Sequence, residues 1–168
     1  MNIKIDRSVL FLIIGVLGGI ISLLGLVQPF SQFFYITGSA LLLLTALYFR
    51  LHYFIALEII LIAGHGTVLL GIGPILQFAL PGLLCLQLLI FYYLSEQLTA
   101  LFILGIIGIA ILSIGFSYTN QWVFFLGSTC IMIYAYFSRQ VHSAALLWAV
   151  LNAFFALFAL INIIRYYV

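Results

Sequence analysis

Charge is the scarcest commodity in this chain. Lysine and arginine number 5 and aspartate and glutamate 3 among 168 residues, for a net charge of +2. A soluble domain carries about 25% charged residues because its surface has to be wetted. At 5% charged, this chain could not cover such a surface. The cations are also too few for a nucleic-acid surface, so no nucleic-acid partner is expected. The one lysine, Lys4, precedes every long apolar run, which excludes a retinal Schiff base inside a span. Cysteine is limited to Cys85 and Cys130, both in apolar runs and without a CxxC pattern, so they read as small buried hydrophobes. His-Glu-x-x-His, Gly-x-Ser-x-Gly and a carboxylate pair at helical spacing within a span are all missing. No enzyme is expected on that ground. A metal site takes three or four ligands. His52, His65 and His142 cannot meet at one depth, so neither a metal nor another cofactor is expected.

What fills the chain is apolar. The residues are 67% hydrophobic and 17% aromatic, with a mean hydropathy of +1.41. The solvent for such a chain is lipid, where backbone polar groups must pair inside helices or closed barrels. The runs are uniformly apolar rather than alternating, which selects helices. The expected fold is all-α, a polytopic membrane protein, and the lipid bilayer is its first partner.

Seven spans can be placed. Ser8–Val27 is long enough to cross, and it lacks a small-x-small cleavage pattern, so it reads as a retained helix rather than a signal. Gln28-Pro-Phe-Ser-Gln32 turns the chain. Phe33–Phe49 and Tyr53–Gly71 follow, separated only by Arg50-Leu-His52. One helix across that charge would be about 60 Å long, twice the hydrocarbon core, so Arg50 marks a reversal. Gly71-Ile-Gly-Pro74 leads into Ile75–Leu94, which contains Pro81-Gly82 as an expected kink. Leu98–Ser117, Trp122–Phe137 and Ser143–Ile164 complete the set, with turns at 95–97, 118–121 and 138–142. Counting turns alternately, the N-terminus, Arg50, Glu96 and Arg139 share one side, and only Arg165 lies opposite. Basic residues stay cytoplasmic. The expected placement is a bacterial inner membrane, with the N-terminus cytoplasmic and the C-terminus outside.

The sequence also repeats. Gly15, Gly18 and Gly25 recur 90 residues later as Gly105, Gly108 and Gly115. Gly38-Ser39 and Arg50 recur 89 residues later as Gly127-Ser128 and Arg139. The chain therefore reads as one membrane domain, with repeat one at 8–71, a linker helix at 75–94 and repeat two at 98–165. Both copies start on the same side, so the repeats are parallel. Transporters use this architecture, with the site near the midplane between the halves.

Three spans, a linker and three spans resemble the SWEET/PnuC-like superfamily of small-solute transporters. Arg139, Leu146-Leu147-Trp148 and Asn152 resemble an Arg…Leu-Leu-Trp-x-x-x-Asn run of its PnuC-type members. The Pro-Gln pair of other relatives is absent, since Gln28-Pro29 is reversed. The resemblance implies facilitated passage of a small polar metabolite, with Trp148 and Asn152 as binding residues.

Five polar or amphipathic residues inside the spans are candidates for a substrate pathway: Glu58, His65, Gln87, Trp148 and Asn152. Glu58 and His65 are seven residues apart, so both leave one face of the third span about 10 Å apart. Glu58 either lines a polar cavity or pairs near the interface with Arg50, His52 or a headgroup. His65, between Gly64 and Gly66, is either a cavity residue or a packing histidine. The two together could relay a proton. Asn152 and Trp148 share a face at i, i+4, and Asn152, like Gln87, either reads a solute or bonds another helix. The functional expectation is a transporter or facilitator of a small polar metabolite. The alternative is a non-enzymatic integral subunit or scaffold of a larger membrane complex, and a homo-oligomer or a partner membrane subunit is compatible with either.

Overall fold

A computed structural model describes residues 6–118 and 120–167. Lys4, Thr119 of the fifth turn and Val168 lie outside the described residues. The fold is all-α: α1 Arg7–Leu24, α2 Ser31–Tyr48, α3 His52–Leu69, α4 Pro74–Leu94, α5 Ala100–Tyr118, α6 Gln121–Ser138 and α7 Leu146–Tyr167. Among the described residues, every helix but α5 is long and apolar enough to cross a membrane.

Local chemistry sets the helix ends. Asp6 caps α1 by accepting the Ser8 backbone N–H at 3.1 Å. Past Leu24 the chain tightens into a 3-10 turn, Gly25–Val27, before the Pro29 break. Pro74 stands in the first turn of α4, where its missing N–H leaves no bond unmade. Asn120 caps α6 by accepting from the N–H groups of Trp122 and Val123. A 3-10 turn, Ser143–Ala145, leads into α7. Pro81 lies inside α4, as the sequence places it.

The turn at Arg50, which has neither glycine nor proline, closes through an unusual backbone. Arg50 adopts φ 54°, and the Leu51 N–H then bonds the Ala46 carbonyl at 2.9 Å. This is the helix-ending geometry that glycine usually supplies. Glu96 repeats it with φ 56° and a bond from the Gln97 N–H to the Tyr92 carbonyl. Gly71 does the same between α3 and α4.

Packing follows a closed circuit: α1 on α2, α2 on α3, α3 on α5, α5 on α6, α6 on α7, and α7 back on α1. Helix α4 lies outside this circuit against α3 and α5. Glycine lets neighbours come close. A Cβ on Gly18 would stand 2.8 Å from the Gly38 carbonyl oxygen, and one on Gly127 would stand 2.7 Å from the Leu112 backbone nitrogen. The apolar core inside the circuit includes Leu42, Leu57, Ile109, Ile131 and Phe155. Cys85 is buried and Cys130 half-buried, both as free thiols. Large apolar residues also cover the outside, including Ile13, Val16, Leu17 and Ile20 on α1 and Leu83, Leu86 and Ile90 on α4.

Candidate functional site

Among the described residues, a small chamber of about 20 Å³ lies inside the circuit, lined by polar and apolar side chains together. A cavity of at least about 10–15 Å³ admits one water, so the chamber has room for a single small occupant. Helix α3 supplies Glu58 and His65, and α7 supplies Trp148 and Asn152. Helix α2 adds Tyr35 and Ser39, and α1 adds Ser22. Four of the five residues singled out from the sequence therefore line the same chamber.

Glu58 is 1% exposed and Trp148 is 0% exposed, deep for a carboxyl and an indole N–H. They solve each other's problem: Trp148 Nε1 donates to Glu58 Oε1 at 2.7 Å. The bond joins residues 90 positions apart and ties α3 to α7 across the middle. The Ser39 hydroxyl lies against the same carboxyl. Oε2, the other carboxyl oxygen, has no hydrogen-bond partner among the described residues. Glu58 thus faces inward, whereas Arg50 and His52 line a separate vestibule at one end of α3.

His65 is 1% exposed, two turns further along α3. Its Nδ1 is 2.8 Å from Gln32 Oε1. An amide oxygen only accepts, so Nδ1 carries the proton of this bond. Tyr35 stacks on the imidazole at 4.9 Å, and Phe155 lies beside Tyr35. Of the flanking glycines, Gly64 admits Pro81 of α4, whose Cγ would lie 3.4 Å from an added Cβ, while Gly66 faces open space. Asn152 Nδ2 donates to the carbonyl of Trp148 one turn earlier at 2.9 Å. That bond uses one of the two N–H donors, so the amide oxygen and the second N–H are what Asn152 can offer to the chamber.

Gln87 stands apart. It is exposed on α4 and borders an outer groove of about 220 Å³ with Ile59, Leu84 and Phe91. Helix α4 packs on the outside of the circuit, so none of its faces reaches the chamber.

The vestibule holds about 240 Å³. Arg50, His52, Gln97, Ser138 and His142 line it together with the rings of Tyr53, Phe54, Tyr92, Phe102 and Tyr134. Tyr53 is pinned by donating to the Gly105 carbonyl at 2.8 Å and lies 3.8 Å from the Tyr134 ring. Phe54 borders the vestibule and stacks on Trp148 at 4.5 Å, with 29° between the planes. The stacked pair thus has one ring on the vestibule and the other on the chamber.

Sequence reading missed Gln32, Ser39, Tyr35 and Phe54. Gln32 read as a turn residue, and the others are single polar or aromatic positions in apolar runs. No local signal pairs Glu58 with Trp148, which lies 90 positions further on. Among the described residues no three His, Cys, Asp or Glu side chains converge on a point that could hold a metal ion. Comparison with protein-family models, with curated proteins and with solved structures returned no match to this chain.

Proposed function

We propose that this protein is an integral membrane transporter that passes a small polar solute through the centre of its helix circuit. The observation that carries the reading is the Trp148–Glu58 hydrogen bond beside a small chamber that Ser22, Ser39, His65 and Asn152 also line. Burying a carboxyl among apolar helices costs several kcal/mol. Such groups in spans face interiors or aqueous cavities and mark solute or ion pathways. A stable bundle of these helices has no packing need for Glu58, His65 and Asn152 in one place.

The parallel repeat belongs to the same reading. The packing circuit is unchanged when α1, α2 and α3 are exchanged with α5, α6 and α7. Glycine neighbours correspond as well. Gly15 faces Thr45, and Gly105 faces Tyr134, 89 positions further on. Gly18 faces Leu41 and Leu42, and Gly108 faces Cys130 and Ile131 at the same offset. These correspondences support two copies related by rotation about the bilayer normal, with α4 as the linker. The resemblance to SWEET/PnuC-like transporters rests on that architecture and on the Arg139, Trp148 and Asn152 run.

The conformation described is closed: the chamber holds one small molecule, and Phe54 on the vestibule stacks on Trp148 on the chamber. Passage requires α7 to withdraw from α3. By the charge asymmetry, the vestibule opens to the cytoplasm of a bacterial inner membrane.

The test is uptake of labelled sugars, nucleosides and vitamins into proteoliposomes of the purified protein. Saturable uptake of at least one solute is expected, falling at least about tenfold in Glu58→Gln and in His65→Ala. Undiminished uptake in both variants removes these residues from the mechanism. No uptake of any solute, with constant co-purification of a fixed partner, favours a structural subunit instead.

A further inference from the structure

The chamber has a composition that a neutral solute alone does not explain. Its lining carries one carboxylate, Glu58, and no arginine or lysine. Glu58 Oε1 is satisfied by Trp148, but Oε2 is buried with no hydrogen-bond partner among the described residues. The Ser39 hydroxyl lies against the same carboxyl, and the Ser22 hydroxyl and the Asn152 amide, one of whose two N–H groups is used within its own helix, line the same chamber. One negative charge, several hard oxygens and a space of about 20 Å³ are the complement of one small, bare cation.

The charge of that cation is also constrained. A carboxylate left uncompensated in an apolar interior is costly, and a water molecule in the chamber would hydrogen-bond it without neutralising it. A monovalent cation cancels the charge, and so does a proton on Oε2; only the former makes the site respond to the alkali ion supplied. A divalent ion would leave a net positive charge in the same low-dielectric space. A transition metal lacks donors, because no three His, Cys, Asp or Glu side chains meet here among the described residues. An organic ammonium ion larger than water does not fit.

We propose that the chamber binds one alkali-metal cation, Na⁺ or K⁺, through Glu58 Oε2, with Ser22, Ser39 and Asn152 as neutral oxygen ligands. Its role as a coupling ion rests on the transport reading, whereas the binding itself does not. Binding sets the Trp148–Glu58 bond as the element that senses the ion, since both oxygens of one carboxyl are then engaged.

The chain has two tryptophans, and Trp122 is exposed on α6. In a Trp122→Phe background Trp148 is therefore the only tryptophan reporting. Detergent-purified protein is titrated with NaCl, KCl or choline chloride at constant ionic strength. One or both alkali ions are expected to shift Trp148 emission saturably and raise the unfolding temperature, while choline does neither. Glu58→Gln keeps the shape and an acceptor for Trp148, and it should abolish the ion response. Identical curves in all three salts overturn the proposal, and so does an ion response that survives in Glu58→Gln. If Glu58→Gln does not fold, Ser39→Ala serves: the half-saturating ion concentration should rise about tenfold, and an unchanged value overturns the proposal. Ion binding without solute uptake would sink the transport reading and leave this site standing. Uptake without ion binding would do the reverse.

Discussion

Replacing Trp148 by phenylalanine isolates the bond on which the centre of the molecule depends. The indole N–H donates to Glu58 Oε1 at 2.7 Å, and both residues are buried. A hydrogen bond to a charged group contributes about 1.5–3 kcal/mol, and stranding the partner adds its desolvation cost. Trimming the indole leaves a small void worth roughly 1 kcal/mol more. Trp148→Phe should therefore destabilise the fold by about 3–4 kcal/mol. Glu58→Met keeps the volume but strands the indole N–H, at a cost of about 1–3 kcal/mol. The double variant removes donor and acceptor together, which is far cheaper than leaving either alone. The two changes should thus be coupled by about 2 kcal/mol in a double-mutant cycle. Reversible denaturant unfolding in mixed micelles measures all four corners. Neutral side-chain bonds between spans average only about 0.6 kcal/mol. Since such bonds reach about 1.7 kcal/mol at most, a coupling above that value identifies a charged acceptor. Additivity within about 0.5 kcal/mol would refute the reasoning and reduce the pair to a packing contact.

Other outcomes follow from single features. Gly38→Ala would set its Cβ against the Gly18 carbonyl oxygen at 2.6 Å, so α1 and α2 must part; a loss of at least about 2 kcal/mol is expected, while Gly66→Ala, which faces open space, should change unfolding by less than about 0.5 kcal/mol. Gln32→Leu removes the partner of His65 Nδ1, and thermal unfolding should report a cost of about 1–2 kcal/mol, with the imidazole NMR signals broadened as the ring loses its orientation. Asp6 caps α1, and the Ser8 backbone hydrogen bond holds its pKa below the ordinary 3.8. A depressed carboxyl stabilises the folded state fully above its unfolded pKa and loses that effect as pH falls through the folded value. Asp6→Ala should therefore speed amide exchange at Ser8–Leu10 several-fold at neutral pH, with the gap to wild type closing in strong acid.

The helices were legible because each apolar run is bounded by something chemical: Asp6, Pro29, Arg50, Pro74, Glu96, Asn120 and Arg139 all fall at or beside helix ends. Four members of the chamber were legible as polar or amphipathic residues at span depth. Their facing was not. In a soluble helix the wet side and the core side differ in polarity, so the pattern gives the rotation. Here the outside is as apolar as the inside: Ile13 and Val16 are exposed on α1, while Leu42 and Leu57 are buried. Glu58 and Gln87 look alike in the sequence, yet one points to the centre and the other to the rim. Only the packing of α4 outside the circuit tells them apart. Gln32 was hidden for the opposite reason. It sits among turn-forming residues, and nothing local reveals that the start of α2 bends it toward His65.

The reversals at Arg50 and at 139–145 are only a few residues long. Each fastens two antiparallel rods at one end, α2 to α3 and α6 to α7, so neither pair can slide or splay at that end. Freedom is left to the seams that no short connection bridges, α1 with α7 and α3 with α5. The molecule is mechanically a book with two stiff covers, and the Glu58–Trp148 bond is the clasp between them. Any opening between the covers has to undo that clasp, the 2.7 Å bond that ties α3 to α7.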